Sequence, residues 1–332
     1  MPLNRQYIIG VDGGGTRTRA VIGTKNGEVL AFVEGAGTNM KSTPPDVVRQ
    51  EILKILAQLL QKAGLTKSDV SMIFLCVAGG DRYVDIARWE KWVDTIFSGT
   101  TCKVKITNDA VAALTSGTFT QEGLVVIAGT GSIVYAVEKN HHVSRVGGWG
   151  HLLGDEGSGY YIGQEALRAI AQQYDVLGSN GDVFADTILE QLAISDPTEI
   201  ITLIYEHPQP RVCIASIART VLRLAEQNNE RAKDIIEKAV IYLVQLIQTM
   251  LKKEPQVSNF PIVICGGLFG NLYFVQCFQE KLQQATIHNR LILPEVPPVI
   301  GAFINGLFCE GIQMTEALQR TIKETWMSIN EK

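Results

Sequence analysis

The sequence predicts an α/β protein made of two copies of one lobe, each a mixed five-stranded sheet covered by helices, with a helical insertion in the second copy. Three observations carry this. Two glycine turns of one design, Asp12-Gly13-Gly14-Gly15-Thr16 and Gly129-Thr130-Gly131-Ser132, each lie between short apolar strands. The order of segments then repeats in the two halves: three strands, then helix and strand in alternation. The 332 residues also exceed the roughly 250–300 at which single cores stop growing. The likeness between halves lies in element order, not in residue identity. Three antiparallel strands followed by crossover units give a mixed sheet with helices over it, and two such lobes predict a cleft between them.

The first lobe is taken as 1–115, joined by the C-terminal helix 313–332. It reads as strands 7–11, 17–23 and 28–34, helix 44–63, strand 71–78, helix 82–97, strand 103–107 and a short helix from 109. Helix 44–63 is the plainest: Thr43 can cap it, Pro44 suits the first turn, and Val48, Ile52, Ile55, Leu56, Leu59 and Ala63 share a face before Gly64. The second lobe, 116–312, reads as strands 123–128, 132–138 and 142–146, a helical insertion at about 160–255, strand 261–265, helix 271–285, strand 290–293 and a closing helix from 299. A helix is expected over 156–173. The segment 176–198, with Gly178, Ser179, Asn180 and Gly181, is the expected flexible loop. Helix 231–253 carries Ile235, Val240, Leu243, Ile247 and Met250 on one face, a core or dimer surface.

Composition narrows the function. A formal charge of −4 with no basic run gives no footprint for nucleic acid or an anionic membrane. Six cysteines stand far apart without a CxxC pair, which predicts buried reduced thiols. The longest uncharged stretch, 255–279, is broken by Pro261, Gly266, Gly267, Gly270 and Asn271, so it is not a membrane span of about 20 apolar residues. The first apolar run is cut by Asp12, unlike a signal peptide, and a cytoplasmic protein is expected.

The chemistry gathers at the turns. Glycine permits positive φ and lets an anion approach backbone N–H groups, while Thr16, Thr130 and Ser132 add hydroxyls. A single such hairpin would be ordinary turn chemistry; two of one design favour phosphate binding. The sequence has no GxxxxGK[ST] and no complete GxGxxG, which argues against a Walker-type NTPase and a dinucleotide fold. Beyond both turns, Gly147-Gly148-Trp149-Gly150-His151-Leu152-Leu153-Gly154-Asp155-Glu156-Gly157-Ser158 holds a carboxylate and a flat aromatic, which suit a pyranose with hydroxyls and an apolar face.

On these residues the chain is similar to the N-acetylglucosamine kinases, within the BadF/BadG/BcrA/BcrD ATPases that share the actin/hexokinase/Hsp70 fold. The resemblance covers essentially the whole chain and is densest over 7–165. It implies two ribonuclease-H-like lobes, ATP and Mg²⁺, and phosphorylation of the 6-hydroxyl of an amino sugar, with N-acetylglucosamine, glucosamine and N-acetylmuramic acid all open. By the same resemblance Asp109 would be the catalytic base and a sugar ligand, and Asp12 would hold Mg²⁺ through water. Gly13, Gly14, Gly15, Thr16, Thr130, Gly131, Ser132, Gly266, Gly267 and Asn271 would bind ATP. Thr38, Asn39, Gly79, Gly80, Gly148, Trp149 and Asp155 would line the sugar pocket. Relatives are often dimers, which leaves a homodimer open. Plainer roles compete: Asp12 as a turn former, Asp109 and Asp155 as helix caps, Trp149 as a core residue. Relatives that activate radical dehydratases carry cluster-binding cysteines, and this chain has none between Cys102 and Cys213. A sugar-sensing regulator would need a DNA-binding appendage, for which the strand starting at Tyr7 leaves no room.

Overall fold

The computed structural model describes residues 7–15, 17–40, 43–78, 83–138, 142–178 and 182–330. The chain forms two compact units, the first from residues 1–123, 137–141 and 292–332, the second from 124–136 and 142–291.

In the first unit β1 (Tyr7–Gly13), β2 (Arg17–Thr24), β3 (Val29–Ala36), β4 (Val70–Val77) and β5 (Lys103–Asn108) form one sheet in the order β3-β2-β1-β4-β5. Strand β1 pairs antiparallel with β2 and parallel with β4. All eight residues of β4 are buried, as a central parallel strand covered on both faces requires. Alternation along β1 divides the faces. Ile9 and Val11 join a core with Val48, Ile52, Ile55, Leu56 and Leu59 of α1 (Pro45–Ala63) and Trp89 and Val93 of α2 (Tyr83–Phe97). The other face receives α11 (Pro298–Cys309), which also packs on α3 (Asp109–Thr118). α12 (Glu316–Asn330) closes the chain against β3.

The unit therefore draws back the chain from 292, not only helix 313–332, because β1 would otherwise expose a face. Approach there is close. A Cβ on Gly10 would stand 2.3 Å from the Phe303 nitrogen, and one on Gly301 would stand 2.0 Å from the Ala112 carbonyl oxygen. Gly301→Ala is expected to destabilise the protein by about 3 kcal/mol, since overpacking against backbone has no soft partner to yield. Thermal denaturation should show a drop of roughly 6–12 °C, whereas Gly267→Ala, with nothing near its Cβ, should not.

The second unit repeats the plan: β6 (Gly123–Ala128), β7 (Ser132–Val137), β8 (Val143–Gly147), β9 (Ile262–Cys265) and β10 (Leu291–Ile292) lie in the order β10-β9-β6-β7-β8, with β6 parallel to β9. Read from its own first strand, this is the order of the other sheet. Between β8 and β9 run α4 (Gly159–Leu177), α5 (Val183–Gln191), α6 (Glu199–Glu206), α7 (Pro210–Ser216), α8 (Ala218–Glu226) and α9 (Glu230–Lys253), and α10 (Leu272–Gln284) follows β9. The apolar face of α9 is core: Ile235, Val240, Leu243, Ile247 and Met250 are all buried. It is not left for a dimer partner.

Several expectations are corrected. Pro44, not Thr43, is the cap position of α1, and no side chain caps it. The expected loop 176–198 holds α5, capped by Asp182 through its bond from the Ala185 nitrogen, and Asn180 and its neighbours lie outside the described residues. Of the six cysteines only Cys76 is buried; the rest are half-buried and none is in a disulfide. Among the described residues no helix is long and apolar enough to cross a membrane.

Candidate functional site

In the first unit the chemistry gathers at the C-terminal ends of neighbouring strands. Asp12 faces Cys76 of β4 in register, and Asn108 ends β5 opposite Val77. Asp12 and Asp109 thus stand two strands apart, about 10 Å along the sheet. Burial pushes the Asp12 carboxyl up to about 7, and the charge of Asp109 adds to this, while Arg19 opposes it. Arg19 is itself drawn to Glu34, at 2.7 Å. Burial and the charge of Asp109 thus outweigh the pull of Arg19 on the Asp12 carboxyl. Asp109 is the first residue of α3, but the cap is Asn108, whose side chain accepts from the Ala110 nitrogen at 2.9 Å. The capping role that competed for Asp109 belongs to its neighbour.

The first turn is stitched by its backbone. The Gly14 nitrogen donates to the Arg17 oxygen, Ala78 donates to Gly13, and Thr38 donates to Gly14. None of Gly13, Gly14 or Gly15 has positive φ. The glycines serve close approach instead: a Cβ on Gly13 would stand 2.6 Å from the Thr38 hydroxyl. That hydroxyl is buried and bonded to Thr18, so Thr38 braces the turn. The Asn39 amide lies 4.0 Å from where a Cβ on Gly15 would be, beside the turn. Thr16, Gly79 and Gly80 lie outside the described residues.

In the second unit the turn 129–131 is held by the start of α4. Gly159 donates to the Gly129 oxygen at 2.7 Å and Tyr160 to the Thr130 oxygen at 3.4 Å. A helix N-terminus thus points at the turn and lends it positive dipole. The Ser132 hydroxyl donates to the Glu156 backbone oxygen at 2.6 Å. Asp155 is not the cap of α4; Ser158 is, accepting from the Tyr161 nitrogen. The Asp155 carboxylate is buried and accepts from Arg211 Nη2 at 2.9 Å and from the Ser132 nitrogen at 3.4 Å. Gly148 adopts φ 67, and its nitrogen donates to the Ser132 oxygen. Trp149 is 65% exposed under the Arg145 guanidinium, 5.0 Å from the ring centre, so it is no core residue.

A cavity of about 660 Å³ opens beside this turn, lined by Gly129, Thr130 and Gly159, by Gly267 and Leu268 after β9, and by Gln191, Ser216, Arg219 and Thr220 of the insertion. Its mix of apolar walls and a few polar groups suits a nucleoside. Gly266, at φ 103 with a Cβ position 2.3 Å from the Ala128 oxygen, is the bend that brings Gly267 there. Asn271 is tied up, capping α10 by accepting from Phe274 and donating to Glu226 at 2.8 Å. The insertion residues had no signal in the sequence, since they sit on ordinary amphipathic helices.

The sequence profile of the BadF/BadG/BcrA/BcrD ATPase family matches residues 9–306. The chain belongs to that family. It is 31% identical over 271 residues to an N-acetylmuramic acid/N-acetylglucosamine kinase of Clostridium acetobutylicum, covering 81% of this chain and 88% of that one. An N-acetyl-D-glucosamine kinase of Dictyostelium discoideum is also 31% identical, over 276 residues, 80% of this chain and 86% of its own. A solved protein of Porphyromonas gingivalis superposes with a TM-score of 0.71 at 15% identity, over 92% of this chain and 100% of its own, which shows the fold. The repeated strand order of this family member is that of the duplicated ribonuclease-H-like ATPase fold.

Proposed function

We propose that the protein is an ATP-dependent amino-sugar kinase that phosphorylates the 6-hydroxyl of N-acetylglucosamine in the cytoplasm. One observation carries the reading beyond family membership: two acids, Asp12 and Asp109, at strand ends beside a glycine turn, with the Asp12 carboxyl raised by burial and by the charge of Asp109. A hard divalent cation with oxygen ligands suits Asp12, which would hold Mg²⁺ through water. When bound, the ion would neutralise phosphate charge. Asp109 would accept the sugar hydroxyl proton as that oxygen bonds to the γ-phosphorus and the bond to ADP breaks. Thr130 and Gly267, both lining the cavity, are suited to the nucleotide, and Asn39 and Trp149 to the sugar. The N-acetylmuramic acid and N-acetylglucosamine named for the relatives support the substrate class; glucosamine and N-acetylmuramic acid are the alternatives. Most of the rate would come from alignment of hydroxyl and phosphate.

A coupled ADP-release screen over hexoses and amino sugars tests this. N-acetylglucosamine is expected to give the highest kcat/KM, with phosphorus coupling to carbon 6 of the product by NMR. ATP hydrolysis indifferent to every sugar would refute the reading.

A further inference from the structure

Asp155 occupies an unusual position. Its backbone sits at φ 65, which a residue other than glycine rarely adopts, and its carboxylate is buried. The Ser132 backbone N–H reaches it at the long distance of 3.4 Å. Its strong partner is Arg211 at 2.9 Å. Without that cation the buried carboxylate would lose its charge-assisted hydrogen bond and its fixed orientation. Arg211 comes from the first turn of α7, far along the chain and behind Pro210. Its Nε is buried with no partner, whereas the side chain as a whole is 42% exposed. The guanidinium thus keeps donors beyond the one given to Asp155. Gly131 makes room for both: a Cβ there would stand 2.8 Å from Arg211 Nη2 and 2.9 Å from Asp155 Oδ2. The same helix also lines the nucleotide-sized cavity through Ser216.

We propose that Arg211 is a positioning residue for sugar phosphorylation: from the helical insertion it fixes the Asp155 carboxylate in one orientation against the second glycine turn, so that the carboxylate can accept a sugar hydroxyl. This rests on the amino-sugar kinase reading. Arg211 touches neither reacting atom, and its effect passes through Asp155.

The test uses the full chain, with Arg211→Met, Arg211→Lys, Asp155→Asn and the Asp155→Asn/Arg211→Met double variant. Steady-state kinetics give kcat and KM for N-acetylglucosamine and ATP, and calorimetry gives ADP affinity. Arg211→Met is expected to lower kcat/KM for the sugar by about 10–100-fold, while ADP affinity stays within threefold. Arg211→Lys should recover part of the loss, since it restores charge without the fork. The double variant should be no worse than Asp155→Asn, because both remove one unit. Sugar kinetics within twofold of wild type in Arg211→Met would overturn the proposal. So would losses in the double variant that multiply, or a fall in ADP affinity that matches the fall for sugar. A wild type that phosphorylates no amino sugar overturns the kinase reading and this proposal with it; an active wild type leaves Arg211 alone on trial.

Discussion

Asp109→Asn is expected to lower kcat by about 10²–10⁴-fold, the usual contribution of a positioned base, with sugar affinity held within about threefold. Asparagine keeps the size and the hydrogen-bonding reach of the side chain but cannot take the proton. The helix should survive, because Asn108 supplies the cap of α3 and keeps its bond to the Ala110 nitrogen. What is lost is a carboxylate in the first helical turn, about 0.5 kcal/mol of dipole interaction. Loss of kcat without loss of binding marks an interaction made in the transition state. A second readout follows from the neighbouring acid. Asp109 is one of two causes that hold the Asp12 carboxyl up, so its removal should lower the pH at which Asp12 titrates. Titration followed by carbon NMR of the Asp12 carboxyl would report this without any turnover. Near-normal kcat in the variant would remove Asp109 from its role.

The architecture was legible because each strand and most helices carry their own period. Seven of the eight residues of β4 are apolar, with Ser71 the exception, and the face of α1 from Val48 to Leu59 repeats at helical spacing. The paired turns announced the duplication, and the two sheets share one strand order. What sequence could not show was long-range. Nothing in Pro298–Cys309 tells that it belongs with the first sheet, since its glycines look like breaks until Ala112 is seen beside Gly301. The caps weighed as plainer roles for Asp109 and Asp155 fall instead to Asn108 and Ser158, one and three residues away, because each stretch offers two good caps. Arg211 was unreadable for a different reason. Its partner lies 56 residues away, and an arginine after a proline at a helix start has no signature of its own. The turns were read correctly in place but for partly the wrong physics, since their glycines avoid contacts and do not use positive φ.

Asp12→Asn is expected to abolish most turnover, by roughly 10²–10³-fold on the scale of lost charge stabilisation, and yet to stabilise the protein in the absence of ligands at pH 8. The folded carboxyl titrates at about 7, above its ordinary value of 3.8, with burial the larger cause and Asp109 the next. The folded state therefore holds a proton that the unfolded chain releases between those values. With fewer protons bound in the unfolded state, stability falls as pH rises through that window, at up to about 1.4 kcal/mol per pH unit. Asparagine carries no charge, so its stability should lack this decline. Other carboxyls work in the opposite sense. Arg19 holds Glu34 down, and the lysines at Glu310 hold it down against burial, so their contributions are lost on acidification. Those terms are common to both proteins and cancel in the difference between variant and wild type. Melting curves at pH 5, 6, 7 and 8 should thus begin close together and diverge in favour of Asp12→Asn at the alkaline end. Magnesium with ADP should close that gap by raising the wild type above pH 7 and leaving the variant nearly unmoved, because the ion supplies the charge that burial and Asp109 deny. A wild-type melting temperature that does not fall relative to Asp12→Asn between pH 5 and 8 would mean that Asp12 is well solvated or already paired, and the argument for a cation at this strand end would fail with it.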